Sequence, residues 1–251
     1  MAREAHREPN HFDSNPRALI VTLQGLLPTL TRTDRAIAEM LLEYRPVGER
    51  AWKLSEVAFR ADVSESAVVK FAKRLGLSGF RHLKRVLDQY ERMGLVDLHE
   101  ELSDVDDAPT IVRKVFGTAV QAIQDTQAIL DYPTFERAAA VLADAQHVVV
   151  YGLGGSAVIG QDFEHKMLRI GKFVRAHCDT HMMAMSASLL ASGDVALAIS
   201  HSGASAGVVE AMELAGDAGA ETIAVTNVPK SPITRAARHV LLSASQGSPI
   251  T

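Results

Sequence analysis

Four small residues stand together where an apolar segment gives way to an amphipathic one. In the stretch AISHSGASAGVVEAM, residues 198–212, they are Ser200, Ser202, Gly203 and Ser205. Hydroxyl groups and the unpaired N–H groups at the start of a helix are suited to hold a phosphate. The stretch therefore predicts an anion site at a strand-to-helix junction, and the alternative is a tight turn.

A second loop of similar character precedes it in the chain. In VVVYGLGGSAVIG, residues 148–160, Gly154 and Gly155 allow close backbone approach to a ligand, and Ser156 opens the next helix. The spacing falls short of a dinucleotide fingerprint, because Ala157 stands where the third glycine belongs. The two loops together favour a phosphorylated small molecule.

Five apolar runs indicate the elements that must position these loops. HVVVYG, KFVRAH, VALAIS, ETIAVT and HVLLSA alternate with helical patterns after about residue 110. Continuous runs of Val, Ile and Ala separated by helices are typical of a parallel sheet covered on both faces. We therefore predict a three-layer α/β domain with a five-stranded parallel sheet. Ligands of such sheets lie beyond the carboxyl ends of the strands, which is where both loops fall.

The first part of the chain, residues 17–90, shows helical patterns only. The segment KLSEVAFRADVSESAVVKFAKRLG, residues 53–76, predicts two short helices about a tight turn. Ser55 and Ser64 are placed to cap these helices, and Asp62 tolerates the left-handed conformation that a reversal needs. This is the helix-turn-helix arrangement, whose second helix enters the DNA major groove. The alternative is an ordinary helical hairpin.

The charge distribution favours a polyanionic partner for this part of the chain alone. The net charge is -4, yet residues 60–85 carry seven Lys or Arg against two Asp or Glu. Basic side chains on the second helix would supply salt-dependent attraction to DNA, and its first turn would meet phosphates or base edges. The residues predicted to contact DNA are Ser64, Ser66, Ala67, Lys70, Lys73 and Arg74.

The composition excludes several other classes. No apolar run reaches the roughly 18 residues of a membrane span, and residues 1–15 lack a signal-peptide core. One cysteine excludes a disulfide framework, so we expect a cytoplasmic protein with no membrane partner. No metal and no cofactor is expected, because no cluster has metal-ligand spacing. The histidines considered, and expected to be solvated or packed, are His165, His177, His181 and His201.

In combination these segments resemble a known family. The C-terminal half is similar to a SIS (sugar isomerase) domain, and the chain from about residue 17 resembles the RpiR family of bacterial transcriptional regulators. The segments that carry the resemblance are GLGGS at 152–156, SHSGAS at 200–205, VTNVPKSPITRAARHVLL at 225–242 and VSESAVVKFAKRLGLSGFRHLKRVL at 63–87.

The resemblance implies a ligand site and an assembly. The implied sugar-phosphate site comprises Ser156, Ser200, Ser202 and Ser205, with Gly154, Gly155 and Gly203 beside them and His201 at a position that varies. Pairing through the C-terminal domain is also implied, so we expect a homodimer or a higher homo-oligomer. The family's last helix is expected to be lacking, since the sequence ends at SASQGSPIT after the last apolar run.

We therefore predict a DNA-binding transcriptional regulator controlled by a phosphorylated sugar, with a DNA operator as its other partner. The predicted parts are a helix-turn-helix domain at 1–92, a linker at 93–109 that transmits effector binding, and a SIS domain at 110–251.

Two other functions are the alternatives to this one. A phosphosugar isomerase with an accessory helical domain would need a general acid and base. Glu164, His165 and Glu210 are the nearby candidates, and none lies in a catalytic pattern. Ser202 lacks the G-x-S-x-G elbow of a nucleophile, so no residue is predicted to be catalytic. A pure interaction module with a degenerate pocket is disfavoured by the intact serines.

Overall fold

The computed structural model describes residues 11–43, 52–92 and 102–245, which form two compact units divided after Ala128. The first unit is built from helices throughout its described residues. They are α1 (His11–Ser14), α2 (Pro16–Leu26), α3 (Arg32–Glu43), α4 (Leu54–Arg60), α5 (Glu65–Arg74), α6 (Phe80–Arg92) and α7 (Ala108–Ile129), with a 3-10 turn at Leu27–Thr29.

Helices α2 to α6 enclose the core of the first unit. Each is amphipathic, so its apolar side chains fall on one face and meet those of its neighbours. Leu19, Ile37, Phe71 and Leu83 are fully buried there. Trp52 is also buried, and its Nε1 donates to Glu91 Oε1 at 3.0 Å. This core holds the helix pair α4–α5 in place.

Helix α7 is joined to the first unit by polar groups at its C-terminal end. His11 Nε2 and Asn15 Nδ2 donate to the carbonyl oxygen of Ala128 at 2.9 and 3.2 Å. Arg17 forms an ion pair with Asp125. These contacts group α7 with the first compact unit. The sequence analysis had assigned residues 110–251, which include most of α7, to the second domain. The predicted domain limits stay a prediction. Most of the predicted linker lies outside the described residues.

The second unit alternates helices and strands. It comprises α8 (Tyr132–Asp144), β1 (Val148–Tyr151), α9 (Gly155–Arg169), β2 (Val174–His177), α10 (Thr180–Ala187), β3 (Val195–Ile199), α11 (Ala206–Asp217), β4 (Glu221–Thr226), α12 (Pro232–Ala236) and β5 (His239–Leu242). The five strands pair in parallel in the order β2-β1-β3-β4-β5. The predicted five-stranded parallel sheet is confirmed.

The two faces of the sheet are covered by different helices. One core includes Tyr151 and Ala198 from the strands and packs them against Met183 of α10 and Met212 of α11. The opposite core packs strand residues such as Val150 against α8 and α9. Both faces are apolar, which explains why the strands read as continuous runs. The expectation about a missing C-terminal helix concerns the end of the chain, where residues 246–251 lie outside the described residues.

Candidate functional site

The two loops singled out in the sequence leave the sheet side by side. Strands β1 and β3 are hydrogen-bonded neighbours, and Tyr151 pairs in register with Ala198. The chain runs from β1 outward to β2 on one side, and from β3 outward to β4 and β5 on the other. Such a switch point leaves a crevice at the carboxyl edge of the sheet. The structure therefore brings the glycine loop, residues 152–156, and the serine loop, residues 200–205, to one place.

The serine loop is a tight turn fixed by its first member. Ser200 is buried, and its N–H donates to Val225 O at 3.0 Å. Its Oγ accepts from the N–H of Gly203 at 3.2 Å. Gly203 has φ +62°, a left-handed conformation that favours glycine. Ser200 and Gly203 thus shape the loop, whatever they contribute to a ligand.

The later serines present more accessible hydroxyls. Ser202 is exposed, and its Oγ accepts from Ala204 N at 3.3 Å. Ser205 is the N-cap of α11, but its side chain makes no capping hydrogen bond. The hydroxyl of Ser205 and the first N–H groups of α11 can therefore turn to an anion. His201, in the same loop, is exposed at the same edge.

In the glycine loop, two glycines are required by the backbone turn, and a third leaves open space for a ligand. A Cβ on Gly152 would lie 2.7 Å from the carbonyl oxygen of Ser156, and Gly154 has φ +55°. Backbone geometry therefore requires glycine at both positions. Gly155 has no positive φ, and nothing lies within 4 Å of the place of its Cβ. Open space beside Gly155 and Ser156 fits the approach of a ligand to the start of α9.

A third loop, after β4, supports the serine loop and was missed from the sequence. Thr226 and Ser231 are buried and lie against Gly203, whose carbonyl accepts from Ile233 N at 3.0 Å. Ser231 Oγ donates to Val228 O at 3.1 Å. The signal was present in the hydroxyl residues of VTNVPKS, of which Thr226 ends the next strand and Ser231 follows it at the same edge of the sheet.

The start of α10 also reaches this edge. A Cβ on Gly207, in the first turn of α11, would lie 2.5 Å from Thr180 Cγ2. His181 follows Thr180 and is exposed. The first turn of α10 therefore lies beside that of α11, two residues after Ser205. Sequence spacing could not indicate this neighbourhood.

The residues considered for acid and base catalysis are not assembled into a site. Glu164 accepts the N–H of Ala176 at 2.8 Å, so its carboxylate closes the edge of strand β2. His165 and Glu210 are exposed, and their side chains make no hydrogen bond to the described residues. Burial, aided by the charge of Arg175, lowers the pKa of His177. A cavity of about 500 Å³ lies along β2, away from the serine loop.

The helix pair α4–α5 has the predicted turn. Asp62 has φ +52°, and Ser64 Oγ accepts from Ala67 N at 3.2 Å, which confirms the left-handed residue and the second cap. The predicted cap at Ser55 is wrong: α4 begins at Leu54 and Lys53 is its N-cap. The helix starts earlier than a cap at Ser55 allows, because Val57 N already bonds to Lys53 O at 3.0 Å.

The predicted DNA-contacting residues divide into two groups. Ser64, Ser66, Lys70 and Lys73 are exposed, and Ala67 is half-buried beneath the cap. The two lysines form no ion pair with the described residues. Arg74 differs, because its guanidinium pairs with the buried carboxylate of Asp34 on α3. Half of the Arg74 side chain nevertheless remains exposed, so its contact with DNA stays a prediction.

Neither a membrane span nor a metal cluster is found in the part of the chain that the structure describes. Its helices are too short or too polar to cross a bilayer. His, Cys, Asp and Glu form no group of three or more there that could hold a metal ion.

A helix-turn-helix unit followed by a parallel α/β unit is the domain arrangement of a class of transcriptional regulators. The family model of the SIS domain matches residues 141–248, and that of the helix-turn-helix domain of the rpiR family matches residues 18–92. The HTH-type transcriptional regulator RpiR of Escherichia coli K12 is 38% identical over 222 residues, which are 88% of this chain and 74% of that protein. The chain belongs to the RpiR family of transcriptional regulators.

Other relatives agree with this assignment. An uncharacterized HTH-type transcriptional regulator of Caldanaerobacter subterraneus is 32% identical, covering 91% of this chain and 80% of that protein. The structure of the Vibrio vulnificus NanR protein complexed with ManNAc-6P matches with a TM-score of 0.54 and 25% identity, over 93% of this chain and 83% of that one. The predictions of a regulator rather than an enzyme, and of the family, are confirmed.

Proposed function

We propose that the crevice between the serine and glycine loops binds a phosphorylated sugar and that this binding controls attachment to DNA. One observation carries the proposal: the uncapped Ser205 at the start of α11 and the open space at Gly155 at the start of α9 lie on adjacent strand ends. The Vibrio NanR protein, similar in fold, was solved with a sugar phosphate.

The chemistry of the crevice suits a phosphate group. Two helix N-termini offer N–H groups and favourable dipoles, and hydroxyls of Ser156, Ser202 and Ser205 can donate to phosphate oxygens. Ser200 contributes differently, because it is buried and its Oγ accepts from Gly203 N inside the turn. We therefore assign the direct hydroxyl contacts to the accessible serines and the shaping of the loop to Ser200.

The DNA surface is proposed on α5. Ser64 and Ser66 would contact phosphate or base edges at the helix start, and Lys70 and Lys73 would neutralise phosphates. A regulator that binds bacterial DNA would act in the cytoplasm. The effector would bind the DNA-competent and the DNA-incompetent arrangements of the assembly with different affinities. Its binding would therefore shift the population from one arrangement to the other.

We further propose a homodimer, supported by the outward face of α7. Val112, Phe116, Val120 and Ile123 are between 47% and 71% exposed on this helix. Gln121 and Asp125 on its opposite side are buried. A helix that buries polar groups and exposes an apolar stripe needs a further partner. A second copy fits, because helix-turn-helix proteins read two-fold symmetric sites as dimers.

Calorimetry with a panel of sugar phosphates tests the effector site. The full-length protein is titrated with hexose 6-phosphates and pentose 5-phosphates, and then the Ser205→Ala variant is compared. Loss of one hydroxyl bond to a charged group should weaken binding by about ten- to a hundredfold. Ser188→Ala is the matched control, since this exposed serine, which follows α10, only donates to Met185 O at 2.9 Å.

Two results would contradict the proposal. One is the absence of binding by any member of the panel. The other is equal affinity of the Ser205→Ala variant and the wild type. A mobility-shift assay with and without the bound sugar phosphate tests the link to DNA. NMR of the same mixture reports isomerised product, which would favour the isomerase instead.

A further inference from the structure

Three segments of the second unit meet at Asn227, the residue after strand β4. Its side-chain amide forms two hydrogen bonds with one partner: Nδ2 donates to Ser245 O and Oδ1 accepts from Ser245 N, both at 2.8 Å. Its backbone N–H donates to His201 O at 3.1 Å. Asn227 therefore ties the serine loop to the segment Ser243–Ser245.

This pairing lies beyond the end of the sheet. Strand β5 ends at Leu242, and the last main-chain bond of that edge runs from Ser243 N to Thr226 O at 3.0 Å. Beyond Ser243, the side chain of Asn227 makes the two hydrogen bonds with the main chain of Ser245 that a neighbouring strand would otherwise make. Ser245 is thus held at the carboxyl edge, on the side of the serine loop, by two hydrogen bonds with the side chain of Asn227.

The pairing brings two polar side chains together. Ser245 Oγ lies 3.5 Å from His201 Nδ1, and both residues are exposed. A contact of this length is weak, so it does not hold the segment in place. The two bonds from Asn227 do. An imidazole nitrogen and a hydroxyl next to each other match the donor and acceptor pattern of a sugar hydroxyl.

We propose that Asn227 is a positioning residue that determines which sugar the crevice accepts, by holding Ser245 against His201. The inference rests on the proposed effector site. The serines bind the phosphate, and the His201–Ser245 pair contacts a hydroxyl of the sugar. Asn227 itself does not touch the ligand. Binding of the phosphate and discrimination among sugars therefore depend on different residues.

Calorimetry of the full-length protein with inorganic phosphate and with the panel of sugar phosphates separates these roles. In Asn227→Ala the ratio between the best sugar phosphate and the next should fall by about tenfold or more, because a site built to bind a hydroxyl strongly rejects analogues that lack it. The affinity for inorganic phosphate should stay within about twofold. Ser205→Ala should instead weaken the binding of every probe together.

Two further variants guard against an effect on folding alone. Ser245→Ala removes the hydroxyl and keeps both main-chain bonds to Asn227, so it should lose selectivity as Asn227→Ala does. Ser243→Ala removes only the 3.3 Å bond to Asn227 Oδ1 and should retain most of the selectivity. Thermal unfolding of each variant shows whether the second unit remains folded.

The outcomes distinguish a failure of this inference from a failure of the proposed effector site. Unchanged selectivity in both Asn227→Ala and Ser245→Ala, with Ser205→Ala still impaired, overturns the inference and leaves the effector site standing. A parallel loss of inorganic phosphate binding in Asn227→Ala would also overturn it, since Asn227 would then only shape the phosphate loop. If the wild type binds no sugar phosphate, both fall together.

Discussion

Gly203 of the serine loop lies directly against Ser231 of the following loop. A Cβ on Gly203 would come 2.2 Å from Ser231 Oγ and 2.9 Å from Thr226 Oγ1. The serine loop is therefore shaped by a segment that comes more than twenty residues later in the chain. Any side chain at position 203 must displace the loop or the start of α12.

Gly203→Ala should be strongly destabilising. The new methyl group would collide with Ser231 and would adopt φ +62°, so we expect a loss of about 2–4 kcal/mol in the free energy of unfolding. Urea unfolding followed by circular dichroism measures this loss. Gly216→Ala on α11 is the matched control, because its Cβ would meet only Thr222 Cγ2 at 3.9 Å. Equal stability of the two variants would contradict the prediction.

Lys70 and Lys73 should govern the salt dependence of DNA binding. Replacing both by Ala should lower the slope of log affinity against log salt by about one unit for each phosphate that is no longer neutralised. Binding to operator and to random DNA should weaken alike. Titrations by fluorescence anisotropy at several salt concentrations provide the measurement. Lys166→Ala, on α9 of the second unit, is a control that should leave the slope unchanged. If the Lys70→Ala, Lys73→Ala double variant also keeps the wild-type slope, α5 is excluded as the phosphate-binding surface.

Arg74→Ala should act through stability as well as charge. The buried carboxylate of Asp34 would lose its partner, so we expect a loss of about 1 kcal/mol in the free energy of unfolding after allowance for the half-exposed guanidinium. Lys73→Ala, one residue away and without an ion pair to the described residues, is the comparison. Thermal unfolding that shows the same midpoint for both variants would mean that the pair with Asp34 contributes nothing.

Asp194 should make the stability of the second unit depend on acid pH. Burial alone would raise its pKa, but hydrogen bonds from Ala191 N at 2.9 Å and from His147 Nδ1 at 2.8 Å outweigh burial and hold the pKa below the ordinary value of 3.8. The ionised form is favoured in the folded state. Its contribution is therefore complete above pH 3.8 and is lost as the pH falls through the lower folded pKa.

Unfolding measured by urea between pH 7 and pH 3 tests this dependence. Asp194→Asn should be less stable than the wild type at pH 7, and the difference should narrow toward pH 3. Asp162→Asn, at an exposed i,i+4 pair with Lys166, should change little at any pH. A difference between wild type and Asp194→Asn that does not vary with pH would refute the assignment.

The apolar face of α7 should be required for assembly. Phe116→Glu and Ile123→Glu place charges in the stripe, and sedimentation should then show monomers where the wild type shows dimers. DNA affinity should fall as well, because a monomer contacts one half-site only. Val105→Glu, an exposed apolar position outside α7, should leave assembly intact. Dimers that persist in both α7 variants would place the interface elsewhere.

Local pattern was sufficient for the elements and for the family. The continuous Val-, Ile- and Ala-rich runs predicted the parallel sheet, because strands covered on both faces need no polar alternation. The segment 53–76 predicted the helix pair, since a left-handed Asp62 and a capping Ser64 act within a few residues of themselves. The predicted cap at Ser55 was wrong because several neighbouring residues could begin helix α4. The helix begins one turn-forming bond earlier, from Val57 N to Lys53 O.

The site depended on contacts between segments far apart in the chain. Pairing of β1 with β3 brought the two predicted loops together, whereas Thr226, Ser231 and Asn227 entered the site only because β4 is the next strand and its loop packs on Gly203. Asp34 gave the half-exposed Arg74 an ion-pair partner in the same way. Hydrogen bonding and van der Waals contact act over a few ångströms in space, so spacing along the chain cannot reveal which distant residues they join.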